Sequence, residues 1–289
     1  MNETFDILVI GGGINGAGIV RDASGRNLKV CLVEKNKVGS ATSSWSTKLI
    51  HGGLRYLENY EFRLVRESLK EREVIKKIAS NITTPLPFII PYQKSLRPKW
   101  LIKLGLFLYD NIGGKMTIPK SSTINIKKEI PNILKDQFKI GFQYYDLQVD
   151  DKKLVQLNVE DAKKKGATII QNRKVIDAKR NKNTWDITLD DNTILQSKIL
   201  INAAGPWINE VLSNVIKLNS KKSIRLVKGS HIITKSLYSQ KKAFTLQNED
   251  NRIILSYLIK MNILLLALPK QKLFHQKTQK LMKVKLIIY

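Results

Sequence analysis

The chain has 289 residues, with 50 Lys and Arg against 24 Asp and Glu, and a formal net charge of +26. Its apolar content is ample for one large domain or two, and its single cysteine, Cys31, excludes a disulfide framework and fits a reducing cytoplasm. The first residues show no secretory signal, and the first apolar run is too short to cross a membrane.

The positive charge raises the question of a polyanionic partner. The aromatic residues do not alternate with a basic stripe, and no nucleic-acid motif is present. Lysine is abundant beside isoleucine and asparagine, which is the bias of an AT-rich genome. Nucleic-acid binding is therefore not expected, whereas contact with an anionic membrane surface or an anionic substrate stays open.

The first motif is a buried strand, residues 5–10, that runs into the pattern Gly11-x-Gly13-x-x-Gly16. Gly11 permits a tight turn, Gly13 lets the backbone approach a pyrophosphate, and Gly16 lets the next helix pack closely. That helix, predicted for residues 15–26, directs its free N–H groups to the same place. The context favours a dinucleotide site over a glycine-rich turn that serves packing alone.

A second apolar run, residues 28–33, ends in Glu34, about 20 residues past the glycines, where a ribose hydroxyl needs an acceptor. A carboxylate there favours a 2′-hydroxyl over a 2′-phosphate, because two anions repel each other. FAD or NAD is therefore expected rather than NADP.

Residues 39–48 are small and rich in hydroxyls, and their composition alone fits a solvated linker. Two details favour a binding segment instead. The hydroxyls lead into Lys48, which can pair with an anion, and Gly52 with Gly53 lets the backbone lie close to a ligand.

The rest of the chain alternates helices and strands. Helices are predicted at 58–80, 100–109 and 151–165; Asp150 caps the last, and the charges of the first are interpreted mostly as a solvated face. Strands are predicted at 88–90, 141–149 and 168–170, with a hairpin at 183–189 and 193–198. The prolines before residue 88 are interpreted as breakers, and 115–139 has little periodicity. Residues 199–202 are interpreted as a buried strand that ends where the backbone can face a flat or phosphorylated ligand.

Five stretches carry a family resemblance: DILVIGGGINGAGIVRDASGR, SATSSWSTKLIHGGLRYLENYEFRLVRESLKERE, LRPKW, INAAGPWINE and IRLVKGSHI. From residue 5 to about residue 254 the chain resembles the FAD-dependent, respiratory glycerol-3-phosphate dehydrogenases. The KLIHGGLRYLE run is far more specific than the glycine pattern. The resemblance therefore narrows the expected cofactor to FAD.

The resemblance implies an α/β fold. An FAD-binding Rossmann-like domain of the glutathione-reductase or amino-acid-oxidase type would be interleaved with an incomplete α+β substrate domain. Residues 1–80 and 149–215 would form the FAD-binding domain, and residues 81–148 and 216–254 the substrate domain. Residues 255–289 would form an aberrant basic tail.

The resemblance also implies the site residues. FAD would be held by Gly11, Gly13, Asn15, Gly16, Glu34, Thr42, Ser43, Ser44, Lys48, Leu49, His51, Val175, Ala204, Gly205 and Trp207. Arg55 and Tyr56 would face the substrate, Arg55 as a bidentate phosphate clamp rather than a surface ion pair. His231 and His51 would be the catalytic residues, because a neutral imidazole can take the proton of the substrate hydroxyl. The alternative for His231 is a structural histidine, and no metal site is implied.

The activity implied is the oxidation of sn-glycerol 3-phosphate to dihydroxyacetone phosphate, with electrons passed to a membrane quinone. The flavin would carry the redox step while the protein supplies orientation and charge. The enzyme would be cytoplasmic and peripheral, on the cytoplasmic side of the inner membrane.

The sequence from residue 255 onward departs from the family pattern. It is basic and has no acidic residue or glycine. Reverse translation with AT-rich codons and a shift of one nucleotide can give FVIPYQNEYSFIGTTETEI, which resembles the family continuation. We therefore expect a frameshift just after Ile254. The chain would then be a truncated, non-catalytic remnant with at most residual FAD binding, and an amphipathic membrane anchor in this tail is the competing interpretation.

Overall fold

The structure is a computed structural model, and it describes residues 4–94, 97–218, 224, 226, 228–247, 253–260 and 262–271. The chain divides into two compact units, each discontinuous in sequence. Unit 1 comprises Met1–Ser46 and Asp150–Leu226, and unit 2 comprises Thr47–Val149 and Val227–Tyr289.

Unit 1 is built on a six-stranded sheet within the described residues. The strands are β1 (Thr4–Ile10), β2 (Val30–Glu34), β7 (Thr168–Gln171), β8 (Val175–Asn181), β9 (Thr184–Leu189) and β10 (Ile194–Asn202). Their order in the sheet is β7-β2-β1-β10-β9-β8. The first four strands in this order run parallel, and β9 and β8 follow as an antiparallel hairpin extension.

Two long helices cover one face of the unit 1 sheet, α1 (Ile14–Gly25) and α5 (Asp151–Lys164). Val9 of β1 packs on this face with Val20 of α1 and Val159 of α5. Asp150 caps α5 as predicted, since its carboxylate accepts from the Lys153 N–H at 2.9 Å. A short α6 (Ile208–Glu210), continued by a π-turn at Val211–Val215, follows β10.

Unit 2 contains a larger mixed sheet. Its strands among the described residues are β3 (Leu49–Ile50), β4 (Thr83–Pro91), β5 (Ser122–Asn125), β6 (Ile140–Val149), β11 (Lys228–Lys235), β12 (Ala243–Gln247), β13 (Ile253–Lys260) and β14 (Ile263–Gln271). Their order in the sheet is β11-β14-β13-β12-β4-β6-β3, with β5 also paired to β6. Helices α2 (Phe62–Ile78), α3 (Lys99–Asn111) and α4 (Ile126–Glu129) accompany it.

The first boundary between the units differs from the prediction. Residues 47–80 belong to unit 2, although the prediction placed them in the FAD-binding domain. The reason is their pairing and packing: β3 forms a ladder with β6, and Val65 and Leu69 of α2 share a core with Phe88.

Three local predictions also need correction. The prolines follow the end of α2 at Ile78, as predicted, but β4 begins at Thr83 rather than at residue 88. Pro85 and Pro87 pair with Leu147 and Tyr145, on a stretch where β4 meets β6 but not β12. An amide N–H is not needed on the open side of such a stretch. Residues 194–202 form one continuous strand, and Ile199 is exposed rather than buried.

The aberrant tail expected from residue 255 stays a prediction; as far as Gln271, the described residues of this segment include β13 and β14, which form a hairpin inside the unit 2 sheet. The apolar side chains of these two strands are buried on both faces of the sheet. Ile254, Leu264 and Leu266 join one core cluster of unit 2, while Tyr257, Leu265 and Ala267 join the other. A largely apolar sequence is typical of a strand covered on both sides. Residues 272–289 lie outside the described part of the chain.

Candidate functional site

The glycine turn of unit 1 brings three segments into close contact. Gly11 has φ +108°, and a Cβ there would lie 2.6 Å from the carbonyl oxygen of Ala203. A Cβ on Gly16 would lie 1.9 Å from the carbonyl oxygen of Gly11, so α1 starts directly on the turn. Both positions therefore require glycine, one for its backbone conformation and the other for helix packing.

The N-terminus of α1 faces the cleft beside this turn. Its N-cap residue is Gly13, which has no capping side chain, and its first turn from Ile14 contains no acidic residue. The Ser43 hydroxyl accepts a hydrogen bond from the Ile14 N–H at 2.9 Å. A helix N-terminus of this kind favours an anion because its N–H groups and dipole point outward.

Glu34 lies at the end of β2, next to the glycine turn. Its Oε2 accepts from the Gly12 N–H at 2.6 Å, and its Oε1 accepts from the Asn36 N–H at 2.9 Å. Each carboxylate oxygen keeps a further lone pair. Glu34 thus joins the turn to β2 and can still accept from a ribose hydroxyl.

These groups border a cleft of about 340 Å³ within unit 1. Of the residues predicted to hold FAD, the cleft is lined by Gly11, Gly13, Asn15, Glu34, Thr42, Ser43, Val175, Ala204, Gly205 and Trp207. Gly16 lies behind the turn and is buried. The Ser44 hydroxyl donates to the Ala41 carbonyl at 3.0 Å and shapes the loop rather than the cleft wall.

The cleft also contains groups that the sequence did not predict. Lys35 places its Nζ 4.4 Å from the centre of the Trp207 ring, and Arg173 donates from Nε to Asp191 at 2.6 Å. Asn202 stabilises the segment that follows β10 and lines the cleft, since its side chain accepts from the Ala204 N–H and donates to the Ile208 carbonyl. The sequence indicated a cation in this cleft in one way only, namely that Lys35 directly follows Glu34.

The remaining predicted residues belong to unit 2. Lys48 has φ +52°, and its carbonyl accepts from the Val149 N–H at 2.9 Å, while Leu49 pairs with Gln148. His51 and Arg55 are exposed, and Tyr56 is 43% exposed. Arg55 and Tyr56 lie on a short 3₁₀ helix, Leu54–Asn59.

His231 lies on another element of unit 2. It is half-buried on β11, where it pairs with Ala267 of β14.

A buried polar cluster lies under the turn that carries His51 and Arg55. The Gly52 N–H donates to the Tyr109 hydroxyl at 2.7 Å, and that hydroxyl donates to Asp146 Oδ1 at 2.7 Å. Arg72 Nη1 donates to the same carboxylate oxygen at 2.8 Å. The sequence did not predict this cluster. The charges of α2 were interpreted mostly as a solvated face, yet Arg72 is only 3% exposed.

Burial governs the titration of this cluster. It raises the pKa of Asp146, while Arg72, His51 and the Tyr109 hydroxyl act in the opposite direction. Burial and the nearby Asp146 carboxylate raise the pKa of Tyr109 well above its usual value. The Tyr109 hydroxyl therefore keeps its proton and donates it to Asp146.

Comparison with known proteins identifies the family. The sequence profile described as "FAD dependent oxidoreductase" matches residues 6–262. The chain belongs to this family. The prediction of FAD as the cofactor is thereby confirmed, and an oxidoreductase is the class of protein that the family describes.

Curated relatives share this family resemblance at substantial identity. The chain is 47% identical over 258 residues to the D-erythritol 1-phosphate dehydrogenase of Brucella abortus, covering 87% of this chain and 51% of the relative. It is 44% identical over 257 residues to the aerobic glycerol-3-phosphate dehydrogenase of Escherichia coli, with coverage of 87% and 51%. The predicted resemblance to glycerol-3-phosphate dehydrogenases is confirmed. The chain spans about half the length of the curated relatives that it matches.

A solved structure agrees with the fold. The FAD complex of the glycerol-3-phosphate dehydrogenase from Bacillus halodurans matches with a TM-score of 0.70 and 26% identity, over 96% of this chain and 49% of that protein. The predicted fold class of this FAD dependent oxidoreductase is therefore confirmed. In the part of the chain that the structure describes, no acid, cysteine and histidine cluster could hold a metal ion, and no helix is long and apolar enough to cross a bilayer.

Proposed function

We propose that this chain supplies the FAD-binding part, and a portion of the substrate part, of a polyol-phosphate dehydrogenase that oxidises sn-glycerol 3-phosphate to dihydroxyacetone phosphate. The observation that carries the proposal is the 44–47% identity to two dehydrogenases whose names both specify a polyol phosphate. The electrons would pass to a quinone.

The residues of unit 1 fit FAD. The pyrophosphate would lie at the turn of Gly11, Gly13 and Asn15, where α1 begins and where Lys35 and Arg173 add positive charge to the cleft. Glu34 would accept from the adenosine ribose. Main chain near Val175 and Ala204 would cover the rest of the cofactor. Bound FAD would supply the hydride acceptor for oxidation at C2 of the substrate.

The residues of unit 2 would handle the substrate. Arg55 is exposed and presents a planar fork of N–H donors that matches a phosphate monoester. His231 or His51 would take the C2 hydroxyl proton on an imidazole nitrogen, because only the neutral ring can act as that base. Lys48 and Leu49 would contribute to the flavin side of the reaction.

Helix α3 supports the proposed contact with an anionic membrane surface. Its inner face is buried at Leu106 and Tyr109, yet its outer face is also apolar: Trp100 is 65% exposed, Leu104 46% and Phe107 63%. Lys99 and Lys103 are exposed beside them. Aromatic and aliphatic side chains flanked by lysine suit the headgroup boundary of a bilayer. The cytoplasmic side of the inner membrane would be the surface.

The test uses the purified 289-residue chain reconstituted with FAD. We expect retention of FAD after gel filtration, and anaerobic bleaching of the visible flavin absorbance by sn-glycerol 3-phosphate. D-erythritol 1-phosphate is added in parallel, because that is the substrate in the name of one relative. Retained flavin that neither compound bleaches would disprove the substrate, and protein that retains no flavin would support the non-catalytic remnant.

A matched variant tests the phosphate clamp. Arg55→Lys keeps the charge but loses the planar fork, so we expect affinity for sn-glycerol 3-phosphate to fall by about tenfold with unchanged flavin content. Equal affinity in the two proteins would remove Arg55 from the proposal.

A further inference from the structure

We propose that the buried side chains of Arg72, Asp146 and Tyr109 position the turn that carries His51 and Arg55. This positioning role rests on the proposed function in one respect, namely that Arg55 binds the substrate phosphate. The cluster itself is defined by contacts within unit 2 alone.

The cluster converges on one backbone amide. The Gly52 N–H donates to the Tyr109 hydroxyl at 2.7 Å and lies 3.4 Å from Asp146 Oδ1. Gly52 is buried, and a Cβ there would lie 2.2 Å from a methyl carbon of Leu69 and 2.8 Å from the Tyr109 hydroxyl. The backbone therefore lies directly on the cluster, and only glycine allows that approach.

Three separate elements hold the cluster in place. Arg72 comes from α2, Tyr109 from α3 and Asp146 from β6. Arg72 Nη1 also donates to the Tyr145 carbonyl at 2.8 Å, which ties α2 to β6. Three nearby donors fix the direction of this buried carboxylate. Loss of any one of them would leave part of its charge without compensation.

The amide of Gly52 is at the start of the substrate-facing segment. Gly53 follows with φ +73°, its carbonyl accepts from the Tyr56 N–H at 2.8 Å, and this bond begins the 3₁₀ helix that carries Arg55. Fixing Gly52 thus fixes the origin of that helix. His51 and Arg55 are exposed, so the direction of their side chains depends on this backbone anchor rather than on side-chain packing.

Tyr109→Phe removes the hydroxyl that joins Gly52 to Asp146 and keeps the ring. Tyr144→Phe is the matched control, because Tyr144 is also buried, contacts Tyr109 edge to face, and uses its hydroxyl for Thr245 at 3.1 Å. Tyr109→Phe loses two buried hydrogen bonds, to Gly52 and Asp146, and Tyr144→Phe loses one, so the loss of global stability is measured in each variant from exchange at Leu69. A change at Tyr56 beyond the change at Leu69 reports on the turn.

Two readouts are measured on the 289-residue chain with FAD. The first is amide exchange at Tyr56, which does not touch the removed hydroxyl, compared with Leu69 in the same protein. The second is the affinity for sn-glycerol 3-phosphate. We expect Tyr109→Phe to speed Tyr56 exchange and weaken affinity, each by about tenfold, and Tyr144→Phe to change both by less than about twofold.

Equal effects of the two variants on Tyr56 exchange would overturn the positioning role and leave the cluster as ordinary core. A wild-type chain that does not bind sn-glycerol 3-phosphate would overturn the proposed function instead, and the exchange comparison would still decide the positioning role. If Tyr109→Phe does not fold, Arg72→Lys takes its place, since it keeps the charge and loses the bond geometry to Tyr145 and Asp146.

Discussion

The two units support their candidate residues in different ways. In unit 1 the cleft depends on close main-chain contacts, since the Gly11 turn lies directly against the Ala203 carbonyl and Gly16 against the Gly11 carbonyl. In unit 2 the turn at Gly52 is anchored by side chains that lie 57 and 94 positions further along the chain. The first arrangement depends on close approach of main chain, and the second on buried polar side chains.

This difference determines what each unit tolerates. A main-chain site depends on small residues that keep the backbone close, so added volume damages it more than a change in charge does. A site anchored by a buried ion pair responds most to the loss of one charge, because the partner is then left without compensation. Adding volume at the turn in unit 1 and removing a charge from the cluster in unit 2 therefore test this difference directly.

The largest effect is expected for Gly16→Ala in unit 1. The new Cβ would lie 1.9 Å from the Gly11 carbonyl oxygen, so α1 and the turn must separate. We expect the free energy of unfolding to fall by about 3 kcal/mol and FAD retention to be lost. Urea unfolding and the visible flavin absorbance measure these two quantities.

Gly18→Ala is the control on the same helix, because a Cβ there meets no atom within 4 Å among the described residues. Alanine in a helix interior should raise stability by about 0.5–1 kcal/mol and leave FAD bound. If Gly16→Ala resembles Gly18→Ala, close packing at the turn is not what forms the cleft.

The second effect is expected in unit 2 for Asp146→Asn, which removes the 2.8 Å ion pair of the buried Arg72 guanidinium and leaves it the more distant Glu73 carboxylate at 3.9 Å. We expect a loss of about 3 kcal/mol in the free energy of unfolding. Asp136→Asn is the control, because the Asp136 side chain is 95% exposed in its ion pair with Lys127. That change should cost less than about 0.5 kcal/mol. Equal losses in urea unfolding would show that burial of the pair does not matter.

The same contrast explains what the sequence could reveal. The strand, glycine turn and helix of unit 1 were predictable because they are contiguous in sequence and the glycines have a recognisable spacing, although Gly11 also packs against Ala203. Asp150 was recognisable as a cap for the same reason. In α2, by contrast, Arg72 has the same sequence context as its solvated neighbours, and only the pairing of β4 with β6 brings Asp146 beneath it.

The largely apolar segment after residue 254 was the other part of the chain whose structure could not be predicted from the sequence. The segment from Leu255 to Leu268 has neither alternation nor helical period, since both faces of β13 and β14 are covered. Such a pattern does not distinguish a buried strand from an anchor or an aberrant tail. Only the register of these strands with β11 and β12 assigns them to the sheet.

A third prediction concerns the outer face of α3, which belongs to unit 2. Trp100→Gln combined with Phe107→Gln should weaken binding to phosphatidylglycerol vesicles by at least about tenfold, because two large apolar side chains would leave the lipid boundary. The control in unit 1 is Ile194→Gln with Ile199→Gln, whose side chains are 51% and 53% exposed. Vesicle co-sedimentation decides the matter, and equal losses in the two pairs would mean that α3 has no special role.

The smallest effect is expected at Asp191, which holds Arg173 beside the unit 1 cleft. Hydrogen bonds from the Thr193 side chain and from Arg173 lower the pKa of Asp191 to about 2. A depressed folded-state pKa stabilises the protein above the unfolded value of about 3.9, and the contribution is lost as the pH falls from there to about 2. Carboxyl NMR should give that midpoint, and Thr193→Val should raise it more than Arg173→Gln, since the Thr193 hydrogen bond is the larger cause. A midpoint near 3.9 in the unmodified chain would mean that Asp191 does not hold Arg173, and that other contacts position this wall of the cleft.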